Sequence, residues 1–367
     1  MKTYISKILI CCVLILILSP EVITQDDSLA NKINYELFPI INYDNDTGFG
    51  YGGKAYVYNL FSKNESFDIA LYNSTKGERW YKLFISFPDI ERRHGKKYSL
   101  AVDLDIDYDK WISYKYYGKP LYNIKSYIPD QYETYTKEPI EINLNITKAF
   151  TKNFIVSAGM RFQQIECYNF SSTGSLKYNT NYNCGPLQAL SLPLNIRFDT
   201  RDSYIDPAKG SVLGAELELI REFAPNPDIA YKYSLNFQSY LPLFYERFIL
   251  ASRLIYQQIR PPGISPLLFL TMGGNSSIRG IPQDRYISDR TILINNELRF
   301  PIFWRFGTIA GIDLGDAKPT PEQTGSDGWV INYVIGLRFH MDNFIVRCDF
   351  GIGAETTGLY FNFGHIF

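Results

Sequence analysis

Apolar and polar residues alternate with a period of two along most of this chain, and that rhythm admits one backbone geometry. Successive side chains of an extended strand point to opposite faces, whereas a helix returns to the same face about every 3.6 residues. From Leu100 to Tyr108 the chain reads Leu-Ala-Val-Asp-Leu-Asp-Ile-Asp-Tyr, and from Ile140 to Thr147 it reads Ile-Glu-Ile-Asn-Leu-Asn-Ile-Thr. The same parity sets Leu192, Leu194, Ile196 and Phe198 against Asn195, Arg197 and Asp199, and Leu213, Ala215, Leu217 and Leu219 against Glu216 and Glu218. It returns in Tyr231, Tyr233, Leu235 and Phe237 against Lys232, Asn236 and Gln238, and in Ile331, Tyr333, Ile335, Leu337 and Phe339 against Asn332, Arg338 and His340. Phe344, Val346, Cys348 and Phe350 against Arg347 and Asp349 complete the series. One face is apolar and the other is openly charged.

Followed from end to end, the pattern predicts about sixteen strands: 33–43, 48–60, 65–74, 78–88, 97–112, 134–149, 153–168, 188–201, 211–223, 230–243, 246–260, 289–301, 303–315, 328–341, 343–353 and 358–367. Tight connections such as 61–64, 150–152, 244–245 and 341–343 take turns with longer ones such as 113–133, 169–187 and 261–288. An even strand number, short periplasmic turns and long external loops are the marks of a transmembrane antiparallel β-barrel. The expected fold class is therefore all-β.

Parity alone does not say whether the apolar face meets lipid or a protein core. Three features decide. Lys2 and Lys7 precede an apolar run from Ile8 to Leu18 and a polar stretch from Ser19 to Gln25, the order of a secretory signal peptide. Residues 1–24 are accordingly read as the signal and 25–367 as the barrel domain, with cleavage anywhere from about Ser19 to Gln25. Cys11 and Cys12 lie too early in the apolar run to take a lipid and are read as part of the discarded leader. Secondly, the strand count is large for one soluble sheet, and beyond the leader no window offers the ~18 apolar residues of a membrane helix. Thirdly, the final strand ends on an aromatic side, with Phe361, Phe363, Gly364 and Phe367 carrying a pattern similar to the recognition signal of outer-membrane barrels. The 29 Tyr and 25 Phe suit strands and water–lipid interfaces. A net charge of −1 without a basic patch speaks against a nucleic-acid partner.

Four landmarks in order resemble the BamA/TamA bacterial surface-antigen superfamily of assembly and translocation barrels. The first is Asp199, Arg201 and Asp202 followed by Pro207 and Gly210, a strand–turn–strand; any tight turn uses Pro and Gly, so alone it says little. The second is Gly273-Gly274-Asn275-Ser276-Ser277-Ile278-Arg279-Gly280-Ile281, similar to the Arg-Gly motif on the family's sixth external loop, here between the eleventh and twelfth strands. A phosphate cradle is the competing reading of these glycines, but no helix pattern and no Lys-Ser/Thr follow. The third pair, Glu297 and Asp313, matches positions that hold the loop arginine inside the barrel, and parity independently turns both toward the lumen. The terminal strand is the fourth. The resemblance implies a lumenal loop in which Arg279 lies within hydrogen-bonding reach of Glu297 or Asp313, its planar fork matched to carboxylates. It also implies outer-membrane lipid as surroundings, with unfolded outer-membrane or exported polypeptides as clients and periplasmic or lipoprotein partners. The family's usual POTRA domains are not expected here, because fewer than ten residues separate the expected cleavage region from the first strand.

Other residues carry less. Cys167 and Cys184 flank the fourth external loop and are placed either to form a loop disulfide or to stand as two thiols. Cys348 faces lipid by parity. His94, His340 and His365 fall on a turn, a lumen face and the last strand, a scatter that suggests neither a metal cluster nor an acid–base pair. No nucleophile, base and orienter share a face, so no catalytic residue, metal or cofactor is expected. Two functions stay open: insertion or translocation of polypeptides at the outer membrane, or a channel-forming or structural surface barrel without client handling.

Overall fold

The computed structural model describes residues 33–117, 132–171, 186–224, 229–244, 248–261, 264–317, 329–341 and 345–367. The expected signal segment lies outside them. Among the described residues eighteen strands follow in chain order: β1 Asn34–Asp44, β2 Gly48–Tyr58, β3 Ser66–Ser74, β4 Glu78–Phe87, β5 Tyr98–Tyr116, β6 Glu133–Ala149, β7 Phe154–Tyr168, β8 Leu187–Asp199 and β9 Gly210–Glu222 come first. After them come β10 Ile229–Leu243, β11 Phe248–Arg260, β12 Leu270–Met272, β13 Tyr286–Ser288, β14 Arg290–Phe303, β15 Phe306–Asp316, β16 Val330–His340, β17 Ile345–Ile352 and β18 Thr357–Phe363. Sixteen of these form one closed antiparallel barrel in which every strand pairs with its neighbours in sequence and β18 returns to β1. The short β12 and β13 pair only with each other, inside the long connection from β11 to β14. Among the described residues no helix is long and apolar enough to cross a membrane.

Closure gives every wall strand a partner on both sides, as a strand assembly in hydrocarbon requires because no water is there to solvate backbone groups, although the join of β1 to β18 rests on two register pairs. The two faces differ as the alternation demands. On β16, Ile331, Tyr333, Ile335 and Leu337 stand 48 to 60% exposed while Asn332 and Arg338 on the intervening positions are buried. On β8, Leu192, Leu194, Ile196 and Phe198 face outward in the same way. An apolar band that circles a chain is incompatible with water and fits lipid. Phe61, Phe150, Phe244 and Trp304, all strongly exposed, sit in periplasmic turns, where aromatic rings bridge hydrocarbon and headgroups.

Three departures from the expected strands have physical causes. β5 runs on to Tyr116 rather than stopping near 112, because Tyr114 and Tyr116 pack with Tyr135, Ile165 and Leu187 into a cluster roofed by Leu267 of the long loop. Secondly, β18 stops at Phe363 rather than running to 367; Gly364, at φ 76°, turns the chain away from the sheet. Phe361 and Phe363 therefore belong to the wall, whereas Phe367 does not. Lastly, loop lengths do not alternate strictly: the external turns at 45–47 and 75–77 are tight, while the periplasmic connection 200–209 spans ten residues.

Candidate functional site

The connection from β11 to β14 does not stand out in solvent. It enters through a short 3-10 turn, Pro266–Leu268, and the β12–β13 ribbon, whose base packs against Ala189, Ile220, Ala230 and Ile259 of the wall. Its apex, 273–281, is knitted to itself: Gly273 N–H donates to Ser277 Oγ at 2.8 Å, and Gly274 N–H to Ile281 O at 2.8 Å. Gly273 and Gly274 sit at φ 124° and 86°. Ile278 and Ile281 are fully buried with Met272, Tyr286 and Leu293.

Arg279 is itself fully buried, and every nitrogen of its fork has a carboxylate. Nε and Nη2 donate to the two oxygens of Asp313, each at 2.9 Å, with the Arg279 backbone N–H adding a third bond at 3.0 Å. Nη1 donates to Glu297 Oε1 at 2.7 Å and to Asp349 Oδ2 at 2.9 Å. Glu297 and Asp313, the residues that parity turned inward, thus meet the arginine from adjacent strands β14 and β15, and Asp349 joins from β17. Around them Arg299 donates to Glu297 at 2.9 Å, Arg347 to Asp349 at 3.2 Å, Arg338 to Asp349, and Asn295 to Asp313 at 2.7 Å. A planar guanidinium and paired carboxylates in the absence of bulk water make charge-assisted bonds roughly twice as strong as neutral ones.

Asp349 is the partner that sequence reasoning did not single out. Its parity was legible, opposite Cys348 and Phe350, and its signal was the lumenal glycine two residues on. A Cβ at Gly351 would lie 2.4 Å from the Arg279 carbonyl carbon, so only glycine lets the loop backbone lie against β17. Gly280, at φ 95°, answers it from the loop side, 2.9 Å from Gly351 by the same measure.

The apex touches the wall on several sides. Asn332 Nδ2 donates to Arg279 O at 2.8 Å, Gly280 N–H to the Tyr360 hydroxyl at 3.0 Å, and Thr356 Oγ1 to Gly280 O. Across the barrel Gln283 N–H donates to Asp46 at 2.6 Å and the Tyr114 hydroxyl to Asp284. The loop therefore occupies the lumen and touches β18 through Tyr360.

That strand closes the barrel along a short seam. β1 pairs with β2 at all eleven of its residues but with β18 at only two, Tyr43↔Phe361 and Asp44↔Tyr360. Asn45 adds bonds to Thr357 O at 3.0 Å and from Leu359 N–H at 3.4 Å.

The other residues singled out in the sequence lie elsewhere. Asp199 receives the fork of Arg201 at 3.1 and 2.8 Å, and Asp202 Oδ1 accepts from Ala208 and Lys209 N–H, so these residues staple the β8–β9 connection. Pro207 lies within that connection, and Gly210 starts β9 where a Cβ would meet Thr200 O at 2.3 Å. Cys167 lies on β7, packed against the Tyr114 cluster, and Cys184 is outside the described residues. Cys348 lies on the outward face of β17. The three histidines are less scattered than the sequence suggested: His340 Nδ1 and His365 Nε2 both meet Asp206, at 2.9 and 3.0 Å. Among the described residues no group of His, Cys, Asp or Glu is arranged to hold a metal ion.

Curated protein sequences give no match. Among solved structures, BamA from Haemophilus ducreyi lacking POTRA domains 1-3 superposes with a TM-score of 0.63 at 13% identity, over 91% of this chain and 70% of that one. CdiB from Escherichia coli gives 0.61 at 14% identity over 88% of this chain and 61% of its own, and CdiB from Acinetobacter baumannii 0.54 at 14% over 91% and 66%. This chain thus spans less than two thirds of either CdiB. At such identities the likeness is one of fold. The model of the Omp85 superfamily domain matches residues 59–367, and with that match over most of its length the chain belongs to the Omp85 superfamily, a family of outer-membrane β-barrels.

Proposed function

We propose that the protein inserts or translocates polypeptides at the outer membrane, with the β1–β18 seam as the working edge and the Arg279 loop bracing the lumen behind it. The observation that carries this reading is the contrast at the seam. Two register pairs join β18 to β1, whereas the β10–β11 ladder holds thirteen. Each backbone hydrogen bond lost into lipid is costly, so a barrel opens where the fewest must break. A parted β1 presents its edge as a template to which an extended client segment adds main-chain bonds. BamA and CdiB share this fold, and the clients here are unfolded outer-membrane or exported chains, with periplasmic or lipoprotein partners delivering them. Depletion tests the reading: other barrels should lose assembly or a surface export route should fail, and unchanged assembly and export would remove its support.

A channel is the second reading, favoured by a polar lumenal cavity of about 530 Å³ lined by Arg93, Arg161, Arg197, Asn195, Glu216 and Gln257 among others. Planar-bilayer recordings separate the two. Silence or flicker that changes with Arg279→Ala supports the plugged, seam-operated barrel; a large steady conductance indifferent to that substitution supports the channel.

A further inference from the structure

The periplasmic mouth of the barrel is crossed by a segment that the lumenal loop does not explain. Residues 200–209 join β8 to β9, the eighth and ninth strands of the barrel counted from β1, and so start half-way round from the seam. The connection is stiffened by its own bonds: Thr200 N–H donates to Ser211 O at 2.9 Å, Asp202 N–H to Lys209 O at 3.2 Å, and Arg201 grips Asp199. Near its middle, Asp206 accepts from His340 at the end of β16 and from His365 beyond β18. On its other flank the Tyr204 ring meets that of His94, on the β4–β5 connection, at 5.8 Å between centroids and a tilt of 58°. All three histidines of the chain therefore face this one strap.

What the strap holds is the segment 364–367. After the turn at Gly364, where a side chain would find open space but an unfavourable φ, the chain leaves β18 and enters the lumen. There Arg253 Nη1 donates to Ile366 O at 3.1 Å and Arg299 Nη2 to Phe367 O at 3.0 Å. Both guanidinium groups lie over the Phe367 ring, at 5.1 and 5.2 Å from its centre, with Tyr240 at 6.3 Å. His365 is 3% exposed on its side chain; burial first, then the charge of Arg299, push its pKa down to about 4, so the neutral ring offers Asp206 an N–H. Burial works against the Asp206 carboxylate, yet the bonds from His340 and His365 hold it well below its ordinary range and keep it an acceptor.

The same four residues have a second set of partners available. Continuing the seam register beyond Tyr43↔Phe361 sets Gly364, His365, Ile366 and Phe367 opposite Ile40, Pro39, Phe38 and Leu37 of β1. Residues 364–367 can lie in the lumen or lengthen the seam, and not both.

We propose that the 200–209 strap is a latch: Asp206, by clasping His365 and His340, keeps residues 364–367 in the lumen and the β1–β18 seam short, and its release lets that segment extend β18 along β1. The device rests on the seam being the working edge for its purpose, though not for its existence. The test uses the full chain in detergent micelles with no client present, all other cysteines replaced by serine, carrying Phe38→Cys and Ile366→Cys. Those positions face each other only when the segment runs along β1. Under mild oxidation this parent should cross-link poorly, and adding Asp206→Ala should raise the disulfide yield about five-fold, as expected for loss of a charge-assisted bond at a half-exposed site. Asp206 lies on an exposed connection, and the heat-dependent shift of a folded barrel on a denaturing gel shows that each variant has folded. A high yield in the parent, or an unchanged yield with Asp206→Ala, overturns the latch. Because no client enters the assay, a raised yield beside normal client assembly would sink the seam reading and leave the latch standing.

Discussion

At the scale of single residues, Arg279 is the position whose surroundings are most demanding. Three carboxylates converge on its fork and all four side chains are fully buried. Removing one member of such a set leaves charge without compensation in a site water does not reach, a change that costs about 3–5 kcal/mol. Arg279→Ala should therefore lower the unfolding midpoint in urea sharply, and Arg279→Lys should recover little, since an ammonium cannot bond both Asp313 oxygens and Glu297 at once. Asp313 pairs with Arg279, whereas Asp349 pairs with Arg279, Arg338 and Arg347; Asp349→Ala leaves more guanidinium charge uncompensated and should lower the urea midpoint further than Asp313→Ala, which parallel urea curves of the two variants would show. His365 gives a pH signature. Its folded pKa, about 4, lies below the ordinary 6.5, so between those values the unfolded chain takes up a proton that the folded one refuses, and stability falls as pH falls. Asp206, held well below its ordinary range, stays charged in the folded chain through that window and adds slope of the same sign only at the acid end, where the unfolded carboxyl takes up a proton. The heat-shift midpoint of the wild type should thus drop between about pH 6.5 and 4 more than that of His365→Ala; equal slopes would mean that His365, surrounded by Asp206, Arg299, Glu297, Arg338 and His340, is not held neutral.

At the scale of elements, the strands were legible because each face has a single solvent, lipid outside and water or polar loop inside, so parity holds along most of the wall and breaks only where the register shifts, as in β5 and near the end of β14. The inward direction of Glu297 and Asp313 was legible for the same reason, since on a wall direction follows from counting, whereas their pairing with Arg279 was what the family resemblance implied. Loop six was only half legible. Its Arg-Gly motif marked the place, but β12, β13 and the bond from Gly280 to Tyr360 arise between segments far apart in sequence, and no local pattern encodes them. The end of β18 was misread for a different reason. Phe361, Phe363 and Phe367 keep the outward parity, and nothing in that alternation shows that Arg253, Arg299 and Tyr240, from three other strands, offer Phe367 a second site. The histidines escaped for the same cause, since His94 on the β4–β5 connection, His340 at the end of β16 and His365 beyond β18 approach residues 200–209 only after the barrel closes. Loop docking makes a prediction of its own: Gly351→Val places a branched side chain where the Arg279 carbonyl lies, so the apex should lift and become open to protease from outside, while a valine at the outward neighbour Ile352 should leave it protected.

At the scale of the whole molecule, the barrel is a closed wall with one short join, a loop bound inside it, and a strap across its periplasmic end. An outward apolar face on every strand requires an amphiphile, so the purified chain should aggregate in plain buffer and stay monodisperse in detergent. The Arg279 loop and residues 364–367 each occupy part of the lumen, and on the proposed reading the seam is the route by which a client strand passes between barrel and bilayer. Tying that seam shut with Tyr43→Cys and Phe361→Cys, an outward pair already in register, is the most direct trial of the central claim. The variant, otherwise free of cysteine, is placed in liposomes and the assembly of an unfolded outer-membrane protein is followed by its heat-dependent gel shift. The oxidised form should assemble its client no faster than empty liposomes and the reduced form at the wild-type rate; oxidised and reduced forms assembling client equally well would contradict the account.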